Sequence, residues 1–500
     1  MKKNFFRILA CAGLSCITLP AWAADLMEVY QQGVQSDPIY QAAVSTRLST
    51  REIIPQSLAA LLPNLSGVAD TTGNRTSTDD PLGPNVLVGT QHYNSKGYTV
   101  TLTQPVFNFA AWYGLRGAKH TAKQADATLA NSAQNLILRV AQDYFNVLLA
   151  EDNLRFALAE KAAYASQLHQ AKERFSVGVN AITDVYNAQA SYDSSVANVI
   201  ASQNTLRNNQ EALRQITGRV YPELEGLKID VPLNPPVPND MEQWVASSEK
   251  NNTNLLSYVY AMETAREQIK INKSGHLPTV SVVGTYSRAS TGADNGPGQT
   301  DDRAIGLQLS MPIFSGGLVN SQVRQAKDNF QTADENRENA YRQATVSTRQ
   351  YYNNVISGIS QIQADQATIL SSQSSLESTQ ESYKVGTRTI VDVLNAEQTL
   401  YQSKSTYASD VYNYIINTLQ LKYYAGTLGP NDLAEINQWL HGPDRRNPKY
   451  SSSELHTILK SSDDENTDDQ TTEKPVKSVR KTHHHKKKLV HKKSSTQTTT

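Results

Sequence analysis

Apolar residues along this 500-residue chain follow two periods, and each period occurs twice. Across residues 110–175, Leu115, Ala118, Ala122, Ala125, Leu129, Ser132 and Leu136 recur at alternating steps of three and four. That spacing predicts a helix with a narrow coiled-coil seam, whose small residues permit close helix approach. No proline interrupts it. At 1.5 Å per residue such a helix is ~100 Å long. Residues 180–217 read as a second helix returning beside it, closed by Gly218. Residues 317–383 and 389–425 repeat the plan, closed by Gly426.

The other period is two. Tyr98, Val100 and Leu102 alternate with Thr99, Thr101 and Thr103. Val280, Val282 and Tyr286 alternate with Thr279, Ser281 and Thr285, and Ile305, Leu307, Leu309 and Met311 with Gly306, Gln308 and Ser310. These patterns predict strands near 96–105, 279–288 and 304–312, and a weaker alternation predicts one near 64–72. The Gly-, Asn- and Asp-rich stretches 73–91 and 290–302 read as exposed loops. Residues 25–62 and 241–274 read as helical, with breaks at Ser36-Asp37-Pro38 and Asn251-Asn252. Asp37 suits an N-cap and Pro38 the first helical turn.

The two halves match in detail. Tyr383-Lys-Val-Gly-Thr-Arg-Thr-Ile-Val-Asp-Val-Leu-Asn395 lies between two long helical patterns, and Phe175-Ser-Val-Gly-Val-Asn-Ala-Ile-Thr-Asp-Val-Tyr-Asn187 lies between two others. Gly178, Ile182, Asp184 and Asn187 recur 208 positions later as Gly386, Ile390, Asp392 and Asn395. Each stretch reads as a helix–turn–helix tip. The glycine takes the left-handed conformation that stops the first helix. Thr387 or Thr389 is placed to cap the second, and Asp392 lies near its positive end. The chain therefore reads as a duplicated half, residues 24–220 and 240–440, joined by a proline-rich connector at 221–239. Each half supplies two strands and one long helical hairpin.

Strands of about ten residues cross an outer membrane when tilted. Their apolar residues fall on one face and Thr, Ser and Gln on the other. Four strands do not close a barrel, and an open edge does not sit in lipid. Several protomers must then share one barrel. Eight strands leave room mainly for side chains, whereas three copies give a wider ring of twelve. The predicted class is an α+β membrane protein with a shared trimeric barrel continued by helices. A soluble sandwich also alternates, but has no place for the duplicated hairpins.

Composition narrows this further. The chain is 39% hydrophobic and 7% aromatic, low for a large compact enzyme. Lys2, Lys3 and Arg7, the apolar run 8–19 and Ala21-Trp22-Ala23 read as a secretory leader cleaved after Ala23. Cys11 and Cys16 fall inside it, so the mature chain is expected to lack disulfides, thiolate metal sites and a cysteine nucleophile. The leader and the tail are basic, which leaves an acidic body and argues against nucleic acid as a partner. His92, His120, His169 and His276 are scattered singly, and the body shows no metal-ligand spacing, nucleophile motif or phosphate loop. No cofactor, metal or enzymatic activity is expected. Residues 441–500, with an acidic patch followed by His483, His484, His485 and a lysine run, read as a disordered tail. Phe107, Phe109, Trp112 and Tyr113 cluster where strand becomes helix, as an interfacial belt or as junction packing.

Five motifs in order carry a resemblance: Phe175 to Asp184, Leu213-Arg-Gln-Ile-Thr-Gly218, Gly275-His-Leu-Pro278, Gly317-Leu-Val-Asn-Ser-Gln-Val323 and Gly386-Thr-Arg-Thr-Ile-Val-Asp-Val-Leu394. Across roughly residues 25–437 the chain resembles the TolC family of outer-membrane channel proteins. The resemblance implies a homotrimer in outer-membrane lipid of a Gram-negative cell, with most of the chain in the periplasm. It implies docking to a periplasmic adaptor and to an inner-membrane efflux pump or ABC secretion translocator. It also implies a gate at the hairpin tips, with Tyr383 and Arg388 linked to Thr183 and Asp184, and Gln167 nearby. Asp392 would face the lumen, where three copies form a cation-selecting ring. The family pattern has a second acid one turn later. Asn395 stands there instead, which implies weaker cation selectivity and less block by trivalent metals. Asp184 and Asp392 also suit plain helix-terminus roles. The rival from another class is a trimeric surface adhesin or structural coiled coil.

Overall fold

A computed structural model describes residues 23–78, 89–221, 223–228, 231–291 and 298–441. The expected leader with its two cysteines, the centres of the two surface loops and the tail from 442 lie outside the described residues.

The first three helices are α1 (Leu26–Ser36), α2 (Pro38–Arg51) and α3 (Ile53–Ala59). Asp37 caps α2 by accepting from the Tyr40 N–H at 2.9 Å, and Pro38 occupies the first turn. A further break at Glu52 carries no side-chain cap, and the apolar pattern gave no sign of it. Then come β1 (Asn64–Thr78), β2 (Gly89–Phe107), α4 (Phe109–Ser176) and α5 (Ile182–Thr217). After the two-residue β3 (Gly226–Leu227), the second half supplies α6 (Met241–Asn251), α7 (Thr253–Lys273), β4 (Thr279–Thr291) and β5 (Gln299–Ser310). It continues through α8 (Leu318–Lys384), α9 (Ile390–Tyr424) and α10 (Pro430–Asn437) to β6 (Leu440–His441).

Four strands form one antiparallel sheet in the order β1-β2-β4-β5, so the halves meet at its centre. Its register pairs Leu65 with Leu102, Val100 with Tyr286, Val282 with Leu307 and Val280 with Leu309. Directly opposed residues share a face. One face therefore collects Leu65, Tyr98, Val100, Leu102, Val282, Tyr286, Ile305, Leu307 and Leu309, and the other the Thr, Ser and Gln positions. Val68 and Val283 are exceptions on the polar face. Ile305, Leu307 and Leu309 are 83, 71 and 66% exposed, so the apolar face does not serve as a core within one chain.

The strands run further than the alternation indicates. Gly73 pairs with Asn94, Thr78 with Gly89 and Ser290 with Gln299. Parts of both stretches read as loops are thus ladder. Their Gly, Asn and Asp content lowers strand propensity, but an adjacent hydrogen-bonded strand overrides it. Cross-strand pairs help: Arg288 reaches Asp301 at 3.3 Å, and the Arg303 guanidinium lies over the Tyr286 ring. At the other end β5 stops at Ser310, two residues short of the expected 312. Pro312 has no N–H to give a ladder, and Gly316 and Gly317 then turn the chain at φ of 60° and 81°.

α4 packs against α5, α7 and α9, and α8 against α7 and α9. Each residue of the predicted α4 seam is buried or half-buried. The main core lies where the two hairpins meet the short helices. Leu26 and Val29 of α1 join Leu136, Val140, Tyr144 and Phe145 of α4 with Ile415 and Leu419 of α9. Each such side chain contributes ~1.5–3 kcal/mol by leaving water. The connector is more than a joint. Leu224 and Leu227 are buried, β3 pairs with β6, and the Tyr144 hydroxyl donates to the carbonyls of Ala24 and Glu225 at 3.2 and 2.7 Å.

Candidate functional site at the hairpin tips

Both tips close by one hydrogen-bond scheme. In the first, the N–H groups of Gly178 and Val179 donate to the carbonyls of Phe175 and Arg174, both at 2.9 Å. In the second, Gly386 and Thr387 donate to Tyr383 and Ser382 at 3.1 and 2.9 Å. Gly178 and Gly386 sit at φ of 76° and 83°, the left-handed region that a side chain resists. The duplication read from the sequence therefore extends to individual backbone bonds.

The tips differ one turn later. Thr389 caps α9: its hydroxyl accepts from the Asp392 N–H at 3.2 Å, and the Asp392 carboxylate accepts from the Thr389 N–H and hydroxyl, both at 2.9 Å. Ala181 stands at the matching position of the first tip and has no oxygen to offer, so α5 starts without a side-chain cap. Asp184 instead accepts from Asn180 Nδ2 at 3.0 Å.

Tyr383 is buried at 6% exposure between the two hairpins. Asn180 Nδ2 donates to its hydroxyl at 2.9 Å, and the Arg174 guanidinium lies 4.6 Å from its ring centre. The same Asn180 amide thus joins Tyr383 to Asp184. Gln167, also buried, donates to Glu397 Oε1 at 3.0 Å, and Gln380 Nε2 reaches the same oxygen at 3.3 Å. Arg388 is exposed and lies 4.0 Å from Asp392 of its own hairpin. Thr183 is exposed on α5. Asp392 and Asn395 stand one turn apart on α9, half-exposed and exposed. Hydrogen bonds from the Thr389 backbone and hydroxyl, then the charge of Arg388, hold the Asp392 carboxyl below the usual carboxylate range.

Within one chain the tips therefore bring together Tyr383, Asp184 and Gln167 with residues the sequence reading passed over: Asn180, Arg174 and Glu397. Two of these had a signal. Asn180 lies 208 positions before Arg388, so the repeat marks it as the other tip's equivalent. Glu397 interrupts the apolar stripe Ile390, Val393, Leu400 of α9. Around it an apolar cluster of Tyr164, Leu376, Tyr383, Ile390, Val393, Leu394 and Leu400 seals the seam. Among the described residues, no group of three or more His, Cys, Asp or Glu is placed to hold a metal ion. Beside that apolar contact, the polar links between the two levers at the tips are single hydrogen bonds, each worth ~1 kcal/mol net.

Comparison with known proteins identifies the family and the fold. The model of the outer membrane efflux protein family matches residues 29–219 and 244–427, one block in each half. The chain is 38% identical to the outer membrane protein TolC of Escherichia coli strain K12 over 458 residues, 89% of this chain and 91% of that one. It is 28% identical to the alkaline protease secretion protein AprF of Pseudomonas aeruginosa over 466 residues, 88% of this chain and 94% of that one. Among solved structures, the outer membrane protein VceC of Vibrio cholerae superposes with a TM-score of 0.70 at 17% identity, over 80% of this chain and 96% of that one, a likeness of fold. With both halves matched in order, the chain belongs to the outer membrane efflux protein family.

Proposed function

We propose that this protein is the outer-membrane exit duct of an export system, a homotrimer whose twelve strands close one barrel and whose helices continue it as a periplasmic tunnel. The observation that carries the reading is the sheet itself. It is a single layer with one apolar face, its two outermost strands, β1 and β5, pair with no further strand among the described residues, and its apolar residues are exposed or only half-buried. In lipid each open edge leaves backbone groups unsatisfied at several kcal/mol apiece. Joining β5 of one copy to β1 of the next removes every edge. No described helix is long and apolar enough to cross a membrane, so membrane passage falls to the strands.

The name of one relative, an alkaline protease secretion protein, supports an export role, that of another, outer membrane protein TolC, supports the membrane, and membership of an efflux family leaves the adhesin alternative without support. In this reading a periplasmic adaptor and an inner-membrane pump or ABC translocator complete the path. The tips act as its gate, with Tyr383, Arg388, Thr183, Asp184 and Gln167 as links, and Asp392 lines the constriction with Asn395 below it. The test is conductance in planar bilayers. Purified protein is expected to form long-lived, water-filled channels, and Tyr383→Phe with Arg388→Ser to conduct several-fold more. Electrical silence of the folded protein would overturn the reading.

A further inference from the structure

Glu397 has an unusual place for an acid. It lies in the seam between the hairpins, 3% exposed. Its Oε1 accepts from Gln167 on α4 and Gln380 on α8. Its Oε2 is buried and has no hydrogen-bond partner. The titratable groups that face it are Glu160 and Tyr164 from α4 and Tyr401 from its own helix; α8 presents the neutral Gln380. Among the described residues no cation faces it. Ionised, Glu397 holds a desolvated charge with one bare oxygen and a second carboxylate close by, each of which weakens the seam. Protonated on Oε2, it loses the charge while Oε1 keeps both glutamine bonds.

We infer that Glu397 is a proton-operated latch: taking up a proton tightens the contact between the two hairpins, and losing it loosens them. For gating, this rests on the tips being the gate. The sense of the pH dependence follows from where the group sits. Burial first, and then the charge of Glu160, raise the Glu397 carboxyl above its ordinary value, against the lowering effect of the two glutamine bonds. In a parted seam the carboxyl is hydrated and titrates near the ordinary ~4.3. The closed seam therefore binds more protons. Its extra stability is full below the ordinary value and is lost as pH rises through the raised one.

The experiment places spin labels at Val177→Cys and Val385→Cys, both exposed tip positions, in the full chain, and reads their separation by pulsed electron resonance. Between about pH 7.5 and about pH 4.5 the unaltered seam should give a narrower, shorter distribution at the acid end. Glu397→Gln, which mimics the protonated form, should give the acid distribution at both. Glu160→Gln should move the midpoint to lower pH while keeping the response. The latch is overturned if the labels ignore pH, if Glu397→Gln responds as the parent does, or if Glu160→Gln leaves the midpoint in place. Conductance is read separately, with open probability expected to fall several-fold on acidification and to stay flat in Glu397→Gln. Label movement without any change in conductance keeps the latch and removes the gate reading. Tip variants that alter conductance beside labels that ignore pH do the reverse.

Discussion

At the scale of single residues, local chemistry was legible and its distant partners were not. Asp37 announced itself as a cap because Ser-Asp-Pro is a helix-start signal that depends on three adjacent residues. Its other role needed coordinates. Arg139, 102 positions on, donates to both Asp37 oxygens, at 2.6 and 3.3 Å, and Asp37 is 1% exposed. Burial works to raise this carboxyl, but the Arg139 and Tyr40 hydrogen bonds and the Arg139 charge outweigh it, and the net shift is downward. Asp37 thus contributes stability that is full above the ordinary carboxylate value and is lost as pH falls through its depressed one. Asp37→Ala should cost roughly 3 kcal/mol in urea melts at neutral pH, because it removes both carboxylate bonds of Arg139 and leaves it only the Asn135 side-chain bond, and the difference from the parent should shrink in acid. Gly426 is a second case. At φ 74° it ends α9 against the backbone of Asn251, and a Cβ there would collide with that carbonyl. The matching offset in the sequence identified the glycine, whereas the collision with α6 appears only in the fold.

Among elements, the helices were read nearly to their ends and the strands were read short. A helix carries its own hydrogen bonds, so seam spacing, caps and stop glycines lie within one stretch of chain. A strand borrows its bonds from a neighbour. Gly73–Thr78 contains little that favours a strand, yet the opposing run from Gly89 holds it in register. The tips show how related local sequences differ in capping. Thr389 caps α9 with a capping box, and Ala181 leaves α5 uncapped. Thr389→Ala should lower the stability of the second tip by ~1 kcal/mol. Ala181→Thr should raise that of the first by up to about as much. Amide hydrogen exchange in the first turn of each helix reads both directly.

For the whole molecule, the consequence we propose for the open-edged sheet is assembly. Chemical cross-linking of the purified protein in detergent should give a ladder ending at three subunits. A ladder ending at two would remove the twelve-stranded ring, and one ending at a single subunit would remove the shared barrel. If Asp392 lines the constriction, three copies set a ring of negative charge in the path of ions. Asp392→Asn should then reduce cation preference in reversal-potential measurements across a salt gradient, and Asn395→Asp should increase it. Unchanged selectivity in both would return Asp392 to its observed role as the N3 partner of Thr389.

The sequence by itself determined the duplication, the two periods and the tip glycines, because each rests on spacing along one chain, and it held the motifs that carry the family resemblance. That resemblance also implied Tyr383 and Asp184 as gate residues, with Gln167 nearby. What only the tertiary structure decided is which side chains meet across the seam: Asn180 with Tyr383 and Gln167 with Glu397. Those pairings depend on how two ~100 Å helical hairpins lie against each other. A rotation of either by a fraction of a turn would present different partners, and no local signal in the chain sets that angle.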